Sequence, residues 1–301
     1  MLVTRALYDP EIRLEMADRP VALVAAGKTA APMTVAFTDA WSGTLRGGVV
    51  AAPVRESSDR RLEFFDVGHP LPTIRSVAAG QRALALARAV GSTDVLLVLL
   101  SGGTSAALAV SASGLPLADK VAATDALLQG GVAIHDVNCV RKHLSTIKRG
   151  WLAAASAGDV ITLAVSDVVW PVSDDPAVIG SSPTAGDATS FEDAIRVANR
   201  RAVRRHFPEA VRRVLKRGRR GEIPETPTPR DARLAGSTLH VIGNRLDAVR
   251  GATKAASRLG YATSPCSTGR SWAMQVWSVE LSWTRRWEPP RICADRPVWF
   301  G

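Results

Sequence analysis

Six consecutive aliphatic residues, Val95 to Leu100, run without alternation into Ser101-Gly102-Gly103-Thr104-Ser105. A strand with one wet face alternates apolar and polar side chains. An unbroken run of this length reads instead as a strand buried on both faces, which implies a parallel sheet covered by helices. The sheet's carboxyl edge is where α/β proteins place ligands. The turn that follows suits that place: two glycines admit close approach of a ligand, and hydroxyls and amides can hold an anion. A plain strand-to-helix turn would look the same, and the pentapeptide alone leaves both readings open.

The rest of the chain repeats the pattern. Val21–Ala26, Gly48–Pro53, Leu62–Val67, Val160–Val165 and Leu239–Asn244 read as further strands. Helical stretches follow at about Ala30–Trp41, Thr73–Val90, Leu117–Gly130 and Arg245–Leu259. This alternation predicts a Rossmann-like three-layer α/β domain with a parallel sheet. Gly27-Lys28-Thr29, at the tip of the first strand, almost spells a Walker A loop. The glycine that motif requires falls at Ala22, inside the apolar run, so the P-loop is rejected. What remains is a lysine at a strand tip, either functional or simply solvated. Gly68-His69-Pro70 leaves a histidine on the same type of edge, in a structural or a catalytic role.

The densest polar group is His135–Lys148. Val137, Val140, Leu144 and Ile147 fall three or four apart, so the spacing predicts a helix with Asn138, Arg141, Lys142, Ser145 and Lys148 on its other flanks. Such flanks can meet an anion or only water. Asp167 ends a strand, where a carboxylate can carry magnesium or cap a turn.

The formal charge of +10 is concentrated: between Arg196 and Arg233, thirteen Arg or Lys stand against four Asp or Glu. Val197, Val203, Phe207, Val211, Val214 and Leu215 recur there at helical spacing, so amphipathic helices with solvated basic faces are expected. No aromatic series interleaves the arginines, and no nucleic-acid partner is predicted. No apolar run approaches a membrane span, the amino terminus lacks a signal peptide's apolar region, and Cys139, Cys266 and Cys293 are widely spaced. A cytoplasmic protein without a membrane partner is therefore expected.

Beyond Tyr261 the character changes. Five of the eight tryptophans lie in 262–301, and no strand–helix period fits. Residues 1–261 are expected to form the domain, and 262–301 an atypical tail from a shifted reading frame or a poorly ordered end.

Taken together, Ala26-Gly27-Lys28, Gly68-His69-Pro70, Leu100–Ser105, Val140–Lys148, Ser166-Asp167-Val168, Ser181-Ser182-Pro183-Thr184 and Val241–Arg245 resemble the glycerate 2-kinase family, the type with a C-terminal MOFRL domain, also labelled hydroxypyruvate reductase. The resemblance implies ATP- and Mg2+-dependent phosphorylation of the 2-hydroxyl of D-glycerate in a cleft between two α/β domains. It implies catalytic roles for Lys28, Arg141 and Asp167, with Asp167 on the metal. Ser101, Gly102, Gly103, Ser105, Asn138, Lys142 and His69 would bind substrate or phosphate. The chain departs from the family's glycines at Thr104, Arg149 and Ser182, and from its usual arginine at Trp151. Nothing after Tyr261 resembles the second domain, so that domain is expected to be absent and turnover impaired. An oxidoreductase is the alternative, although no Gly-x-Gly-x-x-Gly follows any strand. A non-catalytic anion-binding remnant is the third.

Overall fold

The computed structural model describes residues 2–54, 59–169 and 172–261, together with the backbone of 263–265 and 277–279. The chain divides into two compact units, Met1–Arg245 and Leu246–Gly301. The first is built on strands β1 (Val21–Ala26), β2 (Leu45–Ala52), β3 (Leu62–Asp66), β4 (Val95–Leu100), β5 (Asp159–Val165) and β6 (Ser237–Gly243). They form one sheet in the order β3-β2-β1-β4-β5-β6, every neighbouring pair parallel.

The aliphatic runs are explained by what lies on either face. In β1 and β4, Ala22, Val24, Ala26, Leu96, Val98 and Leu100 enter one apolar cluster, and Val21, Leu23, Ala25, Val95, Leu97 and Leu99 enter the other. Period-two alternation is present, but both directions lead to core. Helices α1 (Leu2–Leu7), α2 (Pro10–Met16) and α3 (Ala30–Ala40) cover the second face through Val3, Met16 and Phe37. On the first face lie α4 (Ile74–Ala89) and the short α5 (Thr104–Ala107), and its cluster takes in Ala79, Ala83, Leu84 and Ala107. Each fully buried Val or Leu here contributes about 1.5–3 kcal/mol.

A third cluster gathers α6 (Leu117–Gln129), α7 (Ile134–His143), α9 (Phe191–Ala198) and α10 (Glu209–Arg219); α8 (Trp151–Ala154) packs in the first-face core. Val197, Val203, Phe207, Val211, Val214 and Leu215 are its buried stripe, as their spacing predicts. Gly218 sits inside α10 because a Cβ would come 2.3 Å from the Phe191 ring.

One expectation is corrected: the polar helix stops at His143 and does not reach Lys148. Beyond it, residues 144–146 bridge to 110–112. Ala112 N–H donates to Leu144 O at 3.0 Å, Thr146 N–H to Val110 O at 3.3 Å, and Ser145 Oγ to Val110 O at 2.9 Å. That bridge offers partners a helix cannot, so Arg141 and Lys148 do not share a helical face.

Three non-glycine residues in this region hold left-handed backbone: Arg149 (φ 59°), Ser181 (φ 62°) and Ser182 (φ 58°). Arg149 and Ser182 are two of the three positions where the resembled family has glycine. Their segments are stitched by Arg149 N–H to Ser181 O (3.3 Å) and Gly150 N–H to Ser182 O (2.8 Å).

The second unit contains α11 (Arg245–Arg258, which begins at the boundary) and an antiparallel pair, β7 (Thr263–Pro265) with β8 (Trp277–Val279). The expectations for the rest of 262–301 lie outside the described residues. No helix among the described residues is long and apolar enough to cross a membrane.

Candidate active site

From β1 the chain winds outward to β2 and β3, and from β4 it winds the other way to β5 and β6. The carboxyl ends of β1 and β4 therefore flank the sheet's switch point, where diverging connections leave a crevice. Register pairs Ala26 with Leu100, so Gly27-Lys28 and Ser101-Gly102-Gly103 leave the sheet side by side. They are tied together by Lys28 N–H to Gly102 O (2.8 Å), Ser101 N–H to Ala26 O (3.1 Å) and Thr29 N–H to Ser101 Oγ (3.0 Å). Gly27 must be glycine: its φ is +118°, and a Cβ would lie 2.4 Å from Ser101 Oγ.

A cavity of about 420 Å³ opens above this junction. Of the residues expected from sequence, it gathers His69, Gly102, Gly103, Ser105, Asn138, Arg141 and Asp167. The contacts are close. A Cβ on Gly102 would lie 2.5 Å from Asp167 Oδ2, and one on Gly103 would lie 2.9 Å from His69 Cδ2 and 3.3 Å from Lys28 Cγ. Lys28 is thus beside His69 at the rim, exposed to solvent. Partial desolvation, then the Lys28 charge, holds the His69 imidazole below its usual range.

Two expected residues are placed elsewhere. Ser101 is buried, and its hydroxyl is committed to Thr29 N–H, so it builds the junction. Lys142 is buried in an ion pair with Asp187 (2.7 Å) and also donates to Ala177 O. Its sequence neighbour Arg141 differs: it lines the cavity, and its one described hydrogen bond is to Asn138 Oδ1 at 3.5 Å. Burial lowers its guanidinium from the ordinary value, yet an arginine remains charged.

Sequence reasoning missed Ser181, which reaches the cavity from 181–184 and shares a short hydrogen bond with Ser105 Oγ. It also missed Lys120. That signal was readable, since Lys120, Ala123, Ala126 and Leu127 recur at helical spacing on one buried face of α6.

The donors fit a magnesium ion of a particular kind. No group of three or more His, Cys, Asp or Glu gathers among the described residues, so an all-protein cage is not available. Mg2+ on nucleotides is held by one or two carboxylates plus phosphates and water. Asp167, standing over the open space that Gly102 leaves, has that form. The glycine pair beside Lys28 likewise leaves room for a phosphate chain.

A family model described as a domain of unknown function, DUF4147, matches residues 2–216. A glycerate 2-kinase of Pyrococcus horikoshii is 36% identical over 207 residues, covering 68% of this chain and 46% of its own length. A D-glycerate 2-kinase of Thermotoga maritima is 33% identical over 227 residues, 74% of this chain and 51% of its own. A relative from Agrobacterium vitis, 35% identical over 238 residues, bears the provisional name hydroxypyruvate reductase; the match covers 77% of this chain and 52% of that relative. Among solved structures, a glycerate kinase from T. maritima superposes with a TM-score of 0.72 at 30% identity, covering 86% of this chain and 59% of its own. The chain spans about half the length of the relatives it matches.

Proposed function

Because the chain belongs to the DUF4147 family, we propose that it supplies the nucleotide- and acid-binding lobe of a glycerate 2-kinase, which transfers the γ-phosphoryl group of ATP to the 2-hydroxyl of D-glycerate. The observation that carries this reading is the cavity at the switch point. It brings Arg141, which has no carboxylate partner among the described residues, and the Asp167 carboxylate over a glycine turn into one space, with Lys28 beside His69 at its rim.

Phosphoryl transfer asks a protein mainly for positioning and for neutralisation of charge. In this proposal Lys28, at the tip of β1, stabilises the transferred group. Gly102 and Gly103 let the phosphate chain approach the backbone. Asp167 would hold Mg2+, which when bound supplies charge neutralisation across the phosphates. Arg141, with Asn138 and Ser105 beside it, takes the acid group of the substrate. His69, whose imidazole is shifted toward its neutral form by partial burial and then by the Lys28 charge, can accept or donate a hydrogen bond at the rim. A cytoplasmic location, and impaired turnover of this chain by itself, belong to the same proposal. No strand-end glycine fingerprint supports the oxidoreductase name.

The test is titration calorimetry of the purified chain with Mg·ATP and D-glycerate, beside a coupled assay for ADP release. The reading expects saturable binding of both and weak glycerate-dependent ADP formation. Failure of either ligand to bind a folded protein overturns it. Robust turnover would overturn the impairment alone.

A further inference from the structure

Behind the Arg141 end of the cavity stands a cluster of buried cations that the proposed reaction does not use. Lys148 is 2% exposed; its Nζ donates to Ser105 O at 2.6 Å and to Ser105 Oγ at 3.0 Å. Lys120 is 5% exposed and donates to Val110 O at 3.3 Å. Among the described residues, no carboxylate comes within 4.0 Å of Lys120, Arg141 or Lys148. Lys142, on the same helix as Arg141, shows how such a charge is ordinarily closed, through Asp187. That carboxylate is already spent on Lys142 and on Arg149 at 3.4 Å.

Buried cations without counter-charge are costly. A protein relieves them either by shedding protons or by holding an anion. In the unliganded state both lysines lean toward the first. Burial, then the charge of Arg141, brings Lys120 down to about 7. Burial, then Arg141, Lys120 and Lys142, pushes Lys148 well below the ordinary lysine range.

We infer that Arg141, Asn138, Ser105 and Ser181 form an oxyanion subsite, and that Lys120 and Lys148 stand behind it as a second layer of charge that takes up a proton when the anion enters. This rests on the kinase reading only in placing an anion in the same cavity; it names the end of the cavity and couples occupancy to protonation. The ligand group is a carboxylate or phosphoryl oxyanion. An opposite charge beside the cluster favours the protonated lysines. Lys148 acts through Ser105: its ammonium donates to Ser105 Oγ, which leaves the serine proton free to point at Ser181 or at the ligand. Lys120 and Lys148 are therefore positioning residues. The charged groups facing them are Arg141 and Lys142 of α7, with each other, while Asp187 remains engaged by Lys142 and Arg149.

The experiment is calorimetry of the full chain at about pH 8, in non-phosphate buffers of different ionisation enthalpy, titrating D-glycerate, inorganic phosphate and Mg·ATP separately. The expected result is uptake of about one proton per anion bound, because a lysine near 7 is mostly neutral at that pH. Uptake with D-glycerate but not Mg·ATP assigns the subsite to the carboxylate, and the reverse assigns it to a phosphoryl group. Lys148→Met should reduce the uptake and weaken binding about tenfold or more, comparable to losing a charge-assisted hydrogen bond. Binding of the anions without proton uptake by the wild-type chain overturns the inference, whether or not the variant folds. So does undiminished uptake in folded Lys120→Met and Lys148→Met. Uptake on binding inorganic phosphate or D-glycerate, with no binding of Mg·ATP to the folded chain, keeps the subsite and removes the kinase reading; glycerate-dependent turnover without uptake does the reverse.

Discussion

Replacing Gly102 by alanine adds one carbon directly beneath the carboxylate proposed to hold magnesium. Gly102 is not among the residues of positive φ, so its backbone accepts an L side chain. The new Cβ would lie 2.5 Å from Asp167 Oδ2, 3.3 Å from Cγ and 3.8 Å from Oδ1. Ordinary contact begins near 3.4 Å, so the carboxylate must retreat by about 0.9 Å. Asp167 is exposed and can swing aside, at an off-rotamer cost of about 0.5–1.5 kcal/mol. The fold should therefore lose about 1 kcal/mol or less. The chemistry is less forgiving, since a displacement of about 1 Å in a positioned group can cost about a hundredfold in rate, close to 2.7 kcal/mol at the transition state. The assay is ADP release and Mg·ATP affinity across a magnesium titration, with a thermal melt as the control. Gly102→Ala should lower turnover about a hundredfold, raise the magnesium requirement and melt within a few degrees of wild type. A folded variant with unchanged magnesium dependence would refute the role of Asp167.

Lys28→Ala should lower turnover by about a hundredfold or more, like the loss of one preorganised donor, with little change in melting because the side chain is exposed. Arg141→Ala should raise the dissociation constant for D-glycerate by about ten- to a hundredfold while leaving stability unchanged or improved, since it removes a half-buried cation that has no carboxylate partner among the described residues. Lys142→Met should do the opposite: denaturant unfolding should show a loss of about 3–5 kcal/mol, because Asp187 stays buried with less compensation. Finally, Lys120 has a folded value of about 7, below its unfolded value near 10.5, so between them the unfolded chain binds more protons. Stability of the unliganded protein should then rise with pH across that window, and saturating D-glycerate should flatten the slope; a slope of the opposite sign would remove the buried-lysine argument.

The sheet was legible because burial on both faces leaves a signature no surface strand carries: Val21–Ala26 and Val95–Leu100 are unbroken, and both are central. The switch-point neighbours Lys28 and Gly102-Gly103 could be placed together for the same reason. What escaped depended on contacts between distant segments. The end of α7 at His143 is set by hydrogen bonds from 144–146 to 110–112, some 35 residues earlier, and periodicity cannot see them. Arg141 and Lys142 are indistinguishable by residue type, yet one faces the cavity and the other Asp187, a partner contributed from 45 residues on. The Ser101 hydroxyl looked like a ligand and proved to be a joint, because the turn's closure on Thr29 needs an acceptor there.

The left-handed pair at Arg149 and Ser182 gives the chain a direction in sequence space. An L residue in that conformation is disfavoured by about 1–2 kcal/mol relative to glycine, although a glycine also loosens the unfolded chain. At 182 the trade is close to even, since Ser182→Gly would relieve strain and forfeit only the hydrogen bond from Ser182 Oγ to Ala185 O. That position can drift between serine and glycine almost freely. Arg149 cannot return so easily. Its guanidinium is fully buried, donates to Thr189 O, and lies 3.4 Å from Asp187 and 3.9 Å from Glu225. A reversion to glycine would relax the backbone but empty an arginine-sized volume and withdraw a counter-charge from two carboxylates at once. The neighbourhood depends on the residue that the backbone alone would reject.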